Sequence, residues 1–333
     1  KIEDDGYITK ELLDAITNKD NYFEFPGEIL SYMYDYFLIK RDSGNYLYQI
    51  KKEQDNKFMY EYIKTPCNRI IRQSPYYLFC TTPSNDMVYM YRTGGFEELK
   101  DTPKILRLDK SSLILRPEIR SISGDMYVFD GQFLTHYNDD GSVDGKIELG
   151  NIPINDKMLV FGSFSICYSN EVLFYDGFNA WGVSFKDKKV LWKKQIDIIG
   201  QGTDRVGCYF APTKQGIMAI SSSTGETKLI VDGDGWKLTD SVNDNLNNSF
   251  SSGNAILFLR QLGDNKYEPV LLLATEGKAQ VVTCAPFEGE YKGYFFLQDA
   301  RISLEKSVFN FVFLTSNRVY QYGIKRPFKI VFK

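Results

Sequence analysis

Short runs of apolar and aromatic residues alternate with small polar turns along most of this chain, and the pattern recurs seven times. The turns that end these runs lie at residues 42–44, 83–86, 130–131, 176–177, 213–216, 275–277 and 315–317. Six intervals separate the first turn from the last, which gives a mean period of about 45 residues, a spacing typical of β-propeller blades. The pattern therefore indicates a repeat protein.

Each repeat has about three apolar runs separated by turns. Repeat four has runs at 171–175, 180–185 and 190–192, and repeat five has runs at 207–211, 216–220 and 229–231. Antiparallel strands joined by hairpins have this pattern. A thin sheet cannot bury both of its faces alone, and a closed ring of sheets also protects strand edges. We expect an all-β fold, a β-propeller of seven four-stranded blades, with an open β-solenoid as the alternative.

One short helix is expected at the N-terminus, where Thr9 could cap the run 10–16. Pro26 and Gly27 mark the entry into the strand pattern. The predicted organisation is an N-terminal extension over residues 1–25, followed by a single propeller domain over residues 26–333.

Composition agrees with a folded β-rich chain. Hydrophobic residues make up 43% and aromatic residues 15%, and aromatic rings favour strands. The net charge of −3 provides no overall attraction to nucleic acid, so no nucleic-acid partner is expected. Because no stretch approaches the roughly 20 apolar residues of a spanning helix, we expect a soluble protein without membrane insertion.

Repeats four and five resemble the blade repeat of quinoprotein-like propellers (PQQ-type, WD40-like). The resemblance is carried by 175–177, Ala180, Val183, 189–192 and 219–226. In that family a strand ends near Asp-Gly, the next carries Ala-x-Asp, and a Thr-Gly turn leads to a strand with a docking Trp. This chain departs from the pattern, because Leu229 stands where repeat five would have the Trp, and Ser184 and Ser221 stand for the Asp. The resemblance implies the fold but no quinone cofactor.

The five cysteines are Cys67, Cys80, Cys167, Cys208 and Cys284. Their odd number and wide spacing argue against a disulfide framework, so unpaired buried thiols are expected. This expectation favours a reducing, cytoplasmic compartment. Family quinone sites lie near a disulfide between adjacent cysteines, which this chain lacks.

The turn after His136 has oxygen side chains at close spacing around a glycine. Asn138, Asp140 and Asp144 are the candidate ligands for Ca²⁺, which prefers such oxygens. An ordinary hairpin turn is the alternative. No other cofactor is expected.

The longest non-repetitive stretch, residues 232–253, lengthens the interval between repeats five and six to about 61 residues, and long loops often carry function. Asp232, Asp234 and Trp236 are its candidate partner or ligand residues. A solvated insertion is the alternative reading.

No catalytic residues are predicted. His136 is the only histidine, which excludes mechanisms that need a histidine pair. We expect a non-catalytic platform that binds a protein or peptide through loops on one face. The alternative is a carbohydrate-active hydrolase or lyase, or a glycan-binding propeller, with a carboxylate and aromatic central pocket.

Overall fold

The computed structural model contains only β-strands and connecting segments in the part of the chain it describes. That part comprises residues 25–33, 36–52, 58–73, 76–93, 99, 102–109, 111–115, 126–138, 140–161, 171–205, 207–241, 255–275, 278–297, 308–315 and 319–325. Within these ranges no helix is long and apolar enough to cross a membrane. The predicted helix at 10–16 lies outside them.

The first three sheets each contain four consecutive strands. Sheet 1 is β1 (Glu28–Met33), β2 (Tyr36–Arg41), β3 (Gly44–Lys52) and β4 (Phe58–Thr65); sheet 2 is β5 (Arg69–Gln73), β6 (Tyr77–Thr81), β7 (Met87–Arg92) and β8 (Lys104–Arg107); sheet 3 is β9 (Leu113–Leu115), β10 (Met126–Phe129), β11 (Phe133–Tyr137) and β12 (Val143–Glu148). Every strand pairs antiparallel with its neighbour in sequence.

Sheets 4 and 5 have the same order of strands. Sheet 4 is β13 (Leu159–Phe161), β14 (Glu171–Tyr175), β15 (Asn179–Ser184) and β16 (Lys189–Gln195); sheet 5 is β17 (Thr203–Arg205), β18 (Cys208–Pro212), β19 (Gly216–Ser221) and β20 (Thr227–Asp232). Sheets 1 to 4 and most of sheet 5 form one compact unit, Phe23–Thr213 with Met218–Leu229.

A second compact unit contains the first two residues of β19, the last three of β20 and the last two sheets. Sheet 6 is β21 (Trp236–Ser241), β22 (Ala255–Gly263), β23 (Lys266–Thr275) and β24 (Lys278–Thr283), with β25 (Phe287–Glu288) also paired to β23; sheet 7 is β26 (Tyr291–Leu297), β27 (Val308–Thr315) and β28 (Val319–Lys325).

The prediction of an all-β chain with four-stranded antiparallel sheets is confirmed. In sheets 1 to 5, each predicted turn joins the second strand to the third. The seven-blade count, the domain boundaries and the quinoprotein-like type stay predictions.

In repeat six the predicted turn lies between a different pair of strands. The predicted turn at 275–277 falls between the third and fourth strands of sheet 6. The turn that joins the second strand to the third lies between Gly263 and Lys266. There Asn265 takes the left-handed conformation, with φ 55, that glycine adopts in the turns at Gly44, Gly131 and Gly177. The predicted end of a strand at Thr275 is therefore right, but this turn lies one hairpin later in its sheet than the predicted turns of sheets 1 to 5.

Consecutive sheets of the first unit pack face to face. One apolar cluster lies between each neighbouring pair: sheets 1 and 2, sheets 2 and 3, sheets 3 and 4, and sheets 4 and 5. Strand β10 shows how this works, because Tyr127 and Phe129 belong to the cluster with sheet 4 while Met126 and Val128 belong to the cluster with sheet 2. The second strands are thus buried on both faces, which explains their unbroken apolar runs.

Trp192 connects sheet 4 to the hairpin turn at the end of sheet 5. Its Nε1 donates a 2.7 Å hydrogen bond to the carbonyl oxygen of Ser222. The ring lies against the backbone of Gly182 on β15 and of Gly225 in the β19–β20 turn. A side chain at either glycine would overlap the indole, so this contact requires two residues without a Cβ.

The expectation of unpaired cysteines is wrong for two of the five. Cys67, in the link between β4 and β5, forms a disulfide with Cys80 on β6, and their Cα atoms are 5.8 Å apart. Cys80 points toward sheet 1 in the cluster that also contains Cys67. The β5–β6 hairpin folds the link back over β6, a proximity that sequence spacing does not reveal. This bond removes the argument that favoured a reducing compartment; Cys208 and Cys284 are free.

The Trp192 contact predicts that alanine destabilises the protein at position 182 and is tolerated at position 200. Gly182→Ala places a methyl group on Trp192 Nε1, whereas Gly200→Ala meets only Pro212 Cγ at 3.6 Å. We expect Gly182→Ala to lower the free energy of unfolding by about 1–3 kcal/mol through overpacking, and Gly200→Ala to change it by about 0.5 kcal/mol or less. Urea denaturation measures both. Equal effects would contradict the close packing of Trp192 on β15.

The disulfide predicts a specific labelling pattern. The protein is unfolded without reductant, alkylated with iodoacetamide, digested and analysed by mass spectrometry. The peptides of Cys67 and Cys80 should appear linked to each other and should take up the label only after reduction. Reduction should also lower the free energy of unfolding by about 2–4 kcal/mol. Alkylation of both residues before reduction would disprove the bond.

Candidate functional site

Turns and links of the first unit are joined into a continuous loop surface. Ile152 N–H donates to the carbonyl of Gly131, and Leu149 N–H donates to that of Gln132, both at 2.9 Å. The turn of sheet 3 thus lies against the link that leads to sheet 4.

The next turn contacts the same link and the one that follows it. The Asn155 side chain donates a 2.9 Å hydrogen bond to the carbonyl of Asp176, and Ile196 N–H donates to the carbonyl of Phe178 at 3.4 Å. We call the combined surface of residues 130–132, 149–158, 176–178 and 196–200 the loop surface.

An aspartate fixes the backbone of each turn in this surface. Gln132 N–H and Phe133 N–H donate to Asp130 Oδ1 at 3.0 and 2.6 Å. Phe178 N–H and Asn179 N–H donate to Asp176 Oδ1 at 2.8 and 2.6 Å. A carboxylate that accepts two backbone donors holds a tight turn in one conformation. Each turn therefore holds the backbone of the residue after its glycine, Gln132 or Phe178, in one position.

The loop surface carries three exposed apolar side chains. Phe178 is 55% exposed, Ile199 is 42% exposed and Ile154 is 37% exposed. Single exposed apolar residues are ordinary, but these three lie on turns and links that are hydrogen-bonded to one another. The sequence pattern did not predict that these side chains are exposed, because an apolar residue beside a strand is assigned to the apolar run of that strand.

Carboxylates lie beside these apolar side chains. Asp156 and Asp197 are exposed on the two links. Burial raises the pKa of the Tyr175 hydroxyl, and the negative charges of Asp197 and Asp176 raise it further. The loop surface thus combines apolar and acidic groups over a neutral tyrosine.

The predicted partner residues of the 232–253 stretch have different environments. Asp232 and Asp234 are exposed, and Gly235 N–H donates to Asp234 Oδ1 at 2.6 Å. Trp236, by contrast, is the first residue of β21 and only 1% exposed. Residues 242–254 lie outside the described residues, so a partner contact by this stretch stays a prediction.

Trp236 is held by one contact at the edge of its ring and one on a ring face. Its Nε1 donates to the carbonyl of Asp232 at 3.3 Å, and the Arg260 guanidinium carbon lies 4.6 Å from the ring centroid. Arg260 also forms an ion pair with Glu268. Trp236 therefore packs within its own unit and does not present its ring to solvent.

The three predicted calcium ligands bond mainly to their own hairpin. Asn138 Nδ2 donates to Ser142 Oγ at 3.2 Å, and Asp140 Oδ1 accepts from Ser142 N at 2.8 Å. Asp140 Oδ1 also accepts a hydrogen bond from the Ser142 hydroxyl at 2.5 Å, and this bond, followed by the one from the Ser142 backbone N–H, lowers the pKa of Asp140. Asp144 Oδ2 lies 3.0 Å from His136 Nδ1.

Asn138 and Asp140 thus meet at Ser142, whereas Asp144 turns toward His136. Across the residues that the structure describes, no group of three or more His, Cys, Asp or Glu side chains could hold a metal ion. Calcium in this hairpin stays a prediction.

Comparison with known proteins gives no family. No family model and no curated protein matches the sequence. The chain has a weak structural similarity to two solved structures of BBS1N in complex with ARL6DN, one soaked with lead and one with mercury. The first has 9% identity and a TM-score of 0.43 over 93% of this chain and 98% of that chain. The second has 11% identity and a TM-score of 0.45 over 92% and 96%.

A third structure, KlHsv2 with loop 6CD replaced by a Gly-Ser linker, has 8% identity and a TM-score of 0.33 over 78% of this chain and 98% of that chain. Identities and TM-scores this low carry no inference about the fold or the function of this chain. The chain's own geometry defines the class of protein: an all-β protein of four-stranded antiparallel sheets, packed serially in the first unit, with an apolar and acidic loop surface.

Proposed function

We propose that the chain is a seven-bladed, closed β-propeller that acts as a non-catalytic platform and binds a protein or peptide partner through its loop surface. Support for the architecture comes from the seven consecutive antiparallel sheets among the described residues. Further support comes from the apolar clusters between successive sheets of the first unit. Thin sheets that bury both faces against their neighbours are the building principle of propellers.

The observation that carries the function is the position of Phe178. Its side chain is more than half exposed, yet its backbone is fixed by Asp176 and by Ile196. A rigid turn that exposes an aromatic ring loses little conformational entropy when a partner covers the ring. Aromatic anchors of this kind dominate the binding energy of protein interfaces.

The remaining groups of the loop surface indicate the chemistry of the partner. Ile154 and Ile199 extend the apolar contact beyond Phe178, and Asp156 and Asp197 add negative charge. A partner segment with apolar side chains and nearby Lys or Arg complements this surface. We also propose that the stretch 232–253 makes a separate contact with a partner, which the exposure of Asp232 and Asp234 supports.

A two-step binding experiment tests this function. Affinity purification with the full chain first isolates a stoichiometric partner, which is then purified and titrated against the chain by calorimetry. The double substitution Phe178→Ser and Ile154→Ser should weaken binding by about 10–100-fold, because it removes the aromatic anchor and its apolar neighbour.

The matched control is Ile105→Ser on the edge strand β8, where Ile105 is 49% exposed. This variant should bind within about twofold of the wild type, since a residue outside the interface contributes little. Thermal unfolding of all three proteins checks that the fold is intact. Unchanged affinity in the double variant would refute the loop surface as the binding site. Turnover of a sugar substrate, with no partner recovered, would favour the carbohydrate-active alternative.

A further inference from the structure

One tyrosine in the core has an unusual environment. Tyr209 on β18 is 1% exposed and belongs to the apolar cluster between sheets 4 and 5. Its hydroxyl group is buried and has no hydrogen-bond partner in the protein. Buried polar groups almost always have a partner, so this hydroxyl indicates a bound species that supplies one.

Asp204 lies opposite this tyrosine. The β17–β18 hairpin pairs Asp204 with Tyr209, and residues directly opposite in an antiparallel pair share a face of the sheet. Asp204 is only 8% exposed. A carboxylate is therefore placed on the face of sheet 5 that packs against sheet 4.

Glu171 approaches from the other side of the same interface. It begins β14, in which Leu173 and Tyr175 belong to the cluster with sheet 5. Since side chains alternate along a strand, Glu171 points to that side as well. The interface between the two sheets thus receives one carboxylate from each sheet.

The electrostatics agree with this convergence. Burial, followed by the negative charges of Asp204 and Glu171, raises the pKa of the Tyr209 hydroxyl well above its ordinary value. The hydroxyl therefore stays protonated and keeps both its donor and its acceptor capacity. Two carboxylates beside a buried neutral hydroxyl are favourable when a positive charge lies between them.

We propose that Glu171, Asp204 and Tyr209 form a cation site at the interface of sheets 4 and 5, which takes a hydrated Ca²⁺. Hard divalent cations prefer oxygen ligands and commonly complete their shell with water. The carboxylates supply the negative charge, and the tyrosine hydroxyl bonds to a coordinated water. The site is distinct from the hairpin of Asn138, Asp140 and Asp144, and with two carboxylates it is smaller than the three-residue clusters that the described residues lack.

Terbium luminescence provides the test, because Tb³⁺ replaces Ca²⁺ at oxygen sites and is sensitised by a nearby tyrosine. The full chain is treated with chelator and titrated with TbCl₃ under tyrosine excitation. Unfolding temperature is then measured in CaCl₂ and in NaCl of equal ionic strength. Saturable emission and a calcium-specific rise in unfolding temperature are expected for the wild type.

Glu171→Gln and Asp204→Asn should each weaken terbium binding by about tenfold or more, because each removes one ligand charge. Tyr209→Phe should keep the fold in the absence of cation and lose most of the sensitised emission. Asp140→Asn and Asp144→Asn are the matched controls in the other hairpin and should bind within about twofold of the wild type.

Two results would overturn the proposal. Absence of saturable emission and of a calcium-specific rise in unfolding temperature in the wild type would mean that the hydroxyl bonds water alone. Loss of emission in the Asp140 or Asp144 variant, with binding retained in Glu171→Gln, would move the site to the hairpin that the sequence indicates. Unfolding temperatures without cation separate these outcomes from misfolding of a variant.

Discussion

Apolar contact between the faces of successive sheets is the interaction on which the described structure depends. A single sheet of four short strands leaves at least one face open to water, and here the central strands are apolar on both. Full burial of a side chain such as Phe129 or Phe174 contributes about 1.5–3 kcal/mol. Each sheet is therefore stable only beside its neighbours, and the links between sheets are kept short enough to hold the faces together.

Packing between the sheets also positions the turns of the loop surface. The sheets of the first unit pack against one another beneath the turns at Asp130 and Asp176, and the backbones of these turns are hydrogen-bonded to the neighbouring links. Phe178 can then stay exposed without loosening its turn. The interface between sheets 4 and 5 combines apolar packing, the Trp192 hydrogen bond and the convergence of Glu171 with Asp204. The proposed partner surface and the proposed cation site thus both depend on the packing of the sheets in the first unit.

The strand pattern could be predicted from the sequence because hydrophobic period and turn residues are local. Runs such as 171–175 and the turn at 176–177 lie where expected. Two features that the sequence did not indicate are tertiary: the disulfide, which overturns the expectation of unpaired cysteines, and the burial of Trp236. Cys67 meets Cys80 only after a hairpin folds the link back, and Trp236 is buried because Arg260 and its own strand cover it. Neither contact leaves a spacing that a linear pattern reveals.

The coupling energy between two buried side chains on neighbouring sheets tests the claim that the faces of successive sheets are in apolar contact. Phe129 on sheet 3 and Phe174 on sheet 4 are fully buried, and their ring centroids are 4.9 Å apart. A double-mutant cycle of Phe129→Leu and Phe174→Leu, followed by urea denaturation, measures their interaction. Serial face-to-face packing predicts a coupling energy of about 0.5–1.5 kcal/mol. Additivity within about 0.3 kcal/mol would mean that the two faces do not touch, and it would contradict the account.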